Sequence, residues 1–147
     1  MAKMSAAQFI ADTFASYGVT QLFFVPVILS RTLAEIERRT SIQRIMTHGE
    51  KSAVYMADGY ARASGRPGVC YLITGPGVTN AATPIGQAFS DSMPMLVISS
   101  TNATPDLGMR RGRLHEITDQ DAVTAPITAF SKTAPSQAEV PNLIAQA

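Results

Sequence analysis

Three short segments hold the residue types that could do chemistry. The first is Thr47-His48-Gly49-Glu50, which sets an imidazole close to a carboxylate. A carboxyl group can give or take a proton. In a water-poor cleft an unpaired carboxylate is costly, so it keeps its proton or shares it with a basic partner. The second is Thr74-Gly75-Pro76-Gly77-Val78-Thr79-Asn80. Glycines let a backbone approach a ligand closely, and a helix opening at such a turn favours an anion. The third is Met109-Arg110-Arg111-Gly112-Arg113-Leu114-His115-Glu116. Its guanidinium groups could clamp a carboxylate or a phosphate.

Each segment also has a plainer reading. An acid in the first turn of a helix serves the helix dipole. A Gly-Pro-Gly turn can simply join a strand to a helix. An exposed run of arginines is usually solvated. His48 and His115 can act as acid or base, yet neither has a visible triad partner. Cys70 lies in an apolar run and reads as a small buried hydrophobe, not a nucleophile. No Gly-Lys-Ser/Thr follows the glycine turn, so it is not a phosphate-binding Walker loop. As a dinucleotide fingerprint it is defective. Asn80 stands where the third glycine belongs, and the next strand ends Ser99-Ser100-Thr101 with no acid for a ribose hydroxyl.

The elements that must position these residues follow from hydrophobic spacing. The chain has 147 residues, 46% hydrophobic and 16% charged. At that length a domain buries roughly 68–70% of its unfolded surface, enough for one real core. Ser5-Ala6-Ala7-Gln8 fits a capping box, Ile10, Phe14 and Tyr17 recur at helical spacing, and Gly18 stops the helix. Gln21 to Val25 reads as a strand closed by Pro26, Leu29 to Arg39 as a helix, and Ser41 to Met46 as a strand. Glu50 to Ser64 is a helix ended by Gly65, Val69 to Ile73 a strand, Val78 to Phe89 a helix, and Met95 to Ile98 a strand. Alternating strands and helices of this kind predict a parallel sheet wrapped by helices. Thr101 to Gln120 is polar and broken by Pro105, Gly108 and Gly112, which reads as a long loop, and long loops in compact domains are often functional. Ile127 to Phe130 reads as one more strand, and Glu139 to Ala147 opens a helix.

The formal charge of +1 argues against a nucleic-acid or membrane-surface partner. One cysteine makes no internal disulfide, and the thinly spread His and Cys make a structural zinc site unexpected. Met1 to Ser5 lacks the apolar core of a signal peptide, and no apolar run reaches the ~20 residues of a membrane helix. The expectation is a soluble cytoplasmic protein.

Taken together, the segments resemble the thiamine-diphosphate-dependent enzymes. His48-Gly49-Glu50 ahead of Asp58-Gly59-Tyr60-Ala61-Arg62 is similar to their His-Glu…Asp/Glu-Gly-Tyr-Ala-Arg segment. Gly75-Pro76-Gly77-Val78-Thr79-Asn80 resembles their Gly-Pro-Gly-x-x-Asn turn, and Phe89-Ser90-Asp91-Ser92-Met93-Pro94 their aromatic-x-Asp-Ser-x-Pro junction. Order and spacing agree from Ala6 to Lys132, nearest to the acetolactate synthase-like, 2-oxo-acid decarboxylase branch. Two positions depart from the pattern. Phe23-Phe24-Val25-Pro26-Val27 replaces Phe-Gly-x-Pro-Gly, which reshapes the wall from Pro26 to Leu29. Gly49 separates His48 from Glu50.

The resemblance implies an α/β fold: a three-layer α/β/α domain with a mostly parallel, doubly wound sheet. It makes residues 1–147 a pyrimidine-binding domain, cut short after Ala147. It gives Glu50 the catalytic role of hydrogen-bonding the aminopyrimidine ring and so activating the cofactor for C2 ylid formation. Pro26, Gly75, Pro76, Gly77 and Asn80 join Glu50 as cofactor-binding residues, and His48, Gln87, Arg113 and His115 are the substrate candidates. The implied cofactor is thiamine diphosphate. Mg²⁺ is expected in a diphosphate-binding domain or subunit that this chain lacks, so the chain alone is expected to be inactive. The implied substrate is a 2-oxo acid, decarboxylated or carboligated, and the implied assembly a homodimer or higher oligomer. A second possibility stands beside this: a non-catalytic assembly or nucleotide/flavin-binding domain of the same fold.

Overall fold

The computed structural model describes residues 4–26 and 29–147. Helix α1 spans Ala6–Ser16. Its capping box is present: the Gln8 amide donates to Ser5 Oγ at 3.2 Å and the Ser5 amide to Gln8 Oε1 at 3.0 Å. Ile10 and Phe14 are buried, but Tyr17 is not on that apolar face. It lies past the last helical turn as the C-cap and is 79% exposed. Strand β1 is Gln21–Phe24, α2 Ser30–Arg39 and β2 Gln43–Met46. Helix α3 covers Glu50–Ser64 and ends on left-handed Gly65. Then come β3 Gly68–Leu72, α4 Pro76–Ser90, β4 Met95–Ser99, α5 Gln120–Thr124 and α6 Val140–Gln146, with single 3-10 turns between the later elements.

The four strands are all parallel, in the order β2-β1-β3-β4. Alternate residues of each strand serve opposite faces. Leu22, Val69 and Tyr71 pack with Ile10, Phe14 and Ile36 of α1 and α2. Phe23, Cys70 and Leu72 pack with Ala53, Val54, Ala57, Ala81 and Ile85 of α3 and α4. Helices therefore cover both faces, which is the expected three-layer α/β/α domain. Strand β3 sits inside the sheet, and all five of its residues are buried. Cys70 is a free thiol in that strand, and burial pushes its pKa up to about 12. It is core, as expected.

Two expectations need comment. Ile127 to Phe130 is not a strand. Pro126, which has no amide hydrogen to donate, lies in a 3-10 turn over Ala125–Ile127, and the residues after it join no sheet. The bulky replacement at Val27, like Met1 to Lys3, lies outside the described residues. Among those described, no helix is long and apolar enough to cross a membrane.

Tyr71 is fully buried, and among the described residues its hydroxyl meets no hydrogen-bond partner. Burial raises the pKa of that phenol well above its usual value. A buried unsatisfied hydroxyl costs about 1–3 kcal/mol. Tyr71→Phe is therefore expected to leave thermal stability unchanged or raise it by about 1 kcal/mol. A clear drop in melting temperature would show that the hydroxyl has a partner.

Candidate functional site

The winding of the sheet reverses at β1. Strand β2 lies on one side of it and β3 on the other, with α2 on one face and α3 on the opposite face. Ligands bind at such a switch point, outside the carboxyl ends of the strands. The turn from β2 to α3 is fixed there by buried Thr47. Its amide donates to the Phe24 carbonyl at 2.8 Å, and its hydroxyl to the Phe24 and Gly49 carbonyls at 3.3 and 3.1 Å. Gly49 caps α3 without a side chain, and Glu50 is the first helical residue.

The turn from β3 to α4 arrives at the same edge. Gly75 has φ 62° and ψ −113°, a conformation open in practice only to glycine, and Pro76 then starts α4. Gly77 is buried against Glu50. A β-carbon on Gly77 would stand 3.2 Å from both Glu50 Cγ and Oε1, and 2.5 Å from Ile73 Cγ2. The missing side chain is therefore what lets the Glu50 carboxyl rest on the start of α4. The N-termini of α3 and α4 meet at that carboxyl. Among the described residues it has no ion-pair partner. A half-buried acid bordered by bare glycine fits a ligand that brings its own basic nitrogen.

The loop after β4 closes over this turn. The His115 carbonyl lies only 2.2 Å from where a Gly75 β-carbon would be. His115 has φ 56°, and its ring Nδ1 is buried with no partner among the described residues. Gln120, the first residue of α5, reaches the turn directly. Its Oε1 accepts from the Thr74 hydroxyl at 2.9 Å and from the Gly75 amide at 3.1 Å.

The remaining candidates lie elsewhere. His48 is exposed beside the Thr47 turn, Pro26 is exposed after β1, and Asn80 is exposed on α4. Arg113 and Arg111 are turned to Asp106, with N–O distances of 3.0 and 3.1 Å. Burial raises the Asp106 carboxyl, but hydrogen bonds from Arg113 and Arg111 outweigh it and hold the group below its usual range. The Glu116 carboxylate accepts from the Arg113 and Arg111 amides at 2.9 and 3.1 Å, which lowers its pKa too. Much of the arginine loop's charge is thus used inside the loop. Gln87 is not brought to the Glu50 edge. It lies about 15 Å further along α4 than Gly77, where its amide donates to Asp91 Oδ2 at 2.8 Å.

That far end explains two of the recognisable motifs. Arg62 bridges Asp58 at 2.8 Å and Asp91 at 2.6 Å, tying α3 to the end of α4. Asp58 is only 9% exposed, so removing its cation leaves a buried charge unpaired. Arg62→Met is expected to lower the melting temperature by several degrees. Adding Asp58→Leu should recover the part of that loss due to the buried Asp58 charge, while the exposed Arg62–Asp91 contact stays lost. Equal, additive losses in the two single variants would contradict the bridge.

Thr47 lies in the first candidate segment, but Gln120, which also shapes the site, is not among the residues the sequence pointed to. The only local signal for Gln120 was Asp119, which caps α5 by accepting from the Ala122 amide at 2.9 Å. Among the described residues no group of three or more His, Cys, Asp or Glu could hold a metal ion.

Comparison with known proteins adds an independent finding. The family model for the thiamine pyrophosphate enzyme N-terminal TPP binding domain matches residues 4–123. A probable 2-ketoarginine decarboxylase of Pseudomonas aeruginosa is 51% identical over 144 residues, which cover 98% of this chain and 26% of that protein. The acetolactate synthase large subunit of Lactococcus lactis is 33% identical over 144 residues, 97% of this chain and 24% of that protein. The acetolactate synthase isozyme 3 large subunit of Escherichia coli is 31% identical over 149 residues, 100% of this chain and 25% of that protein. The chain spans about a quarter of the length of these relatives.

Proposed function

From the premise that this chain belongs to the thiamine pyrophosphate enzymes, as their N-terminal TPP-binding domain, we propose that it is the pyrimidine-binding part of an enzyme acting on a 2-oxo acid. The reaction is decarboxylation or carboligation. The similarity to a 2-ketoarginine decarboxylase puts 2-ketoarginine first among the substrates to test. The single observation that carries the reading is the Glu50 carboxyl, resting on Gly77 at the switch point of the sheet.

When bound, thiamine diphosphate supplies a nucleophilic carbon and an electron sink for the leaving carboxylate. The residues of this chain do the rest of the work assigned to it. Glu50 holds a proton against a ring nitrogen of the cofactor and so controls that ring's basicity. Gly77 keeps the carboxyl at the edge of α4, and Gly75 and Pro76 let the backbone come close. Pro26 and Asn80, exposed after β1 and on α4, are the remaining cofactor-side candidates. The loop that bears His115 lays its backbone on Gly75 beside this edge. His48 and His115 are the substrate-side candidates, while Gln87 and Arg113 belong to the networks with Asp91 and Asp106.

In this proposal Mg²⁺ and the diphosphate are held by a separate diphosphate-binding domain or subunit, and the working form is a cytoplasmic homodimer or higher oligomer. The test is carbon dioxide release from 2-ketoarginine and from pyruvate by this chain joined to a diphosphate-binding domain, with and without thiamine diphosphate. Release that requires the cofactor is expected. Release that ignores the cofactor, or none from any 2-oxo acid, would overturn the reading.

A further inference from the structure

We infer that Gln120 is a positioning residue. It fixes the Gly75–Gly77 turn, and through Gly77 it sets where the Glu50 carboxyl lies. The strained turn gives the reason. Gly75, at φ 62° and ψ −113°, is the N-cap of α4, so its amide has no partner within the helix and needs one from outside it. Gln120 Oε1 is that partner at 3.1 Å, and it also accepts from the Thr74 hydroxyl at 2.9 Å. Gln120 Nε2 faces the Ser100 carbonyl at 3.4 Å, while Ser100 Oγ accepts from the Thr74 amide at 3.1 Å. The two donors fix the orientation of the side-chain amide. Turned over, it would set NH₂ against N–H.

One side chain thus joins the end of β3, the end of β4 and the start of α5. Beside it, Asp121 accepts from the Thr133 amide at 2.9 Å and from the Thr133 hydroxyl at 2.8 Å, which pins α5 to the later chain. Gln120 therefore projects from an anchored support. Gly77 is two residues past Gly75, and its bare α-carbon is the surface against which Glu50 rests. A turn released at Gly75 moves that surface.

What the turn is for rests on the function proposed above. Whether Gln120 holds it does not, and the experiment uses the chain without cofactor. Gln120→Met keeps length and bulk but removes the acceptor, whereas Gln120→Glu keeps an acceptor for both donors. In Gln120→Met, hydrogen exchange at the Gly75 amide should rise roughly two- to tenfold, the worth of one hydrogen bond. The Glu50 carboxyl carbon resonance should shift in the same variant. Gln120→Glu keeps the acceptor for the Gly75 amide but loses the donor to the Ser100 carbonyl, so exchange at Gly75 should rise less than in Gln120→Met. Thr74→Val, which removes only one of the two bonds to Oε1, should give a smaller change in the same direction. Unchanged exchange at the Gly75 amide and an unmoved Glu50 resonance in Gln120→Met would overturn the inference.

Discussion

Glu50→Gln lowers the turnover of the assembled thiamine-diphosphate enzyme on the order of 10²–10⁴-fold, the usual worth of a positioned acid. The amide has the shape of the carboxyl, so the contact with Gly77 survives. No ion pair is lost among the described residues, because Glu50 makes none there. The stability cost is confined to a first-turn charge at the helix dipole, at most about 1 kcal/mol. A large kinetic effect with a small thermal one separates a proton-handling role from a structural one. Steady-state turnover and a melting curve on the same preparation check it. Normal turnover in the glutamine variant would remove Glu50 from the chemistry.

The second large effect is on the fold. Gly75→Ala places a methyl group 2.2 Å from the His115 carbonyl oxygen, a backbone atom that cannot swing aside. It also asks an L-residue to hold φ 62° with ψ −113°. Strain of that kind and forced overpacking each cost about 1–3 kcal/mol, so the variant should lose about 3–5 kcal/mol. For a chain of this size the melting temperature should fall by roughly 6–20 °C. Gly59→Ala is the control. Gly59 lies inside α3 with nothing near the added carbon, so the exchange should stabilise by about 0.5–1 kcal/mol. If Gly75→Ala melted like wild type, the loop would not close on the turn as described.

Much of this was legible in the sequence, and the limits have physical causes. Local rules located the elements. Ser5 with Gln8 announced the start of α1 and Gly65 the end of α3, while the helix read from Val78 opens two residues earlier, at Pro76. Strand–helix alternation gave the parallel sheet, and the carboxyl ends of its strands pointed to Glu50 and the glycine turn. That the two touch is a property of the winding, not of either segment. Tyr17 and Ile127 to Phe130 show where periodicity misleads. An apolar residue past the last turn has no face to join, and a β-branched run needs an available neighbour before it becomes a strand. Arg113 and Gln87 could not be placed from type alone, because partners on other turns or strands decide where a charged or amide group points. Gln120 was invisible for the same reason. Its partners, Thr74 and Gly75, lie 46 and 45 residues away.

The central claim is that the Glu50 carboxyl acts on a ring of the bound cofactor. The most direct measurement is exchange of the C2 hydrogen of bound thiamine diphosphate for deuterium, followed by NMR in the enzyme containing this chain and in its Glu50→Gln form. Rapid exchange in the first and exchange slowed on the order of 10²-fold or more in the second is the predicted result. Equal rates in both would contradict the account.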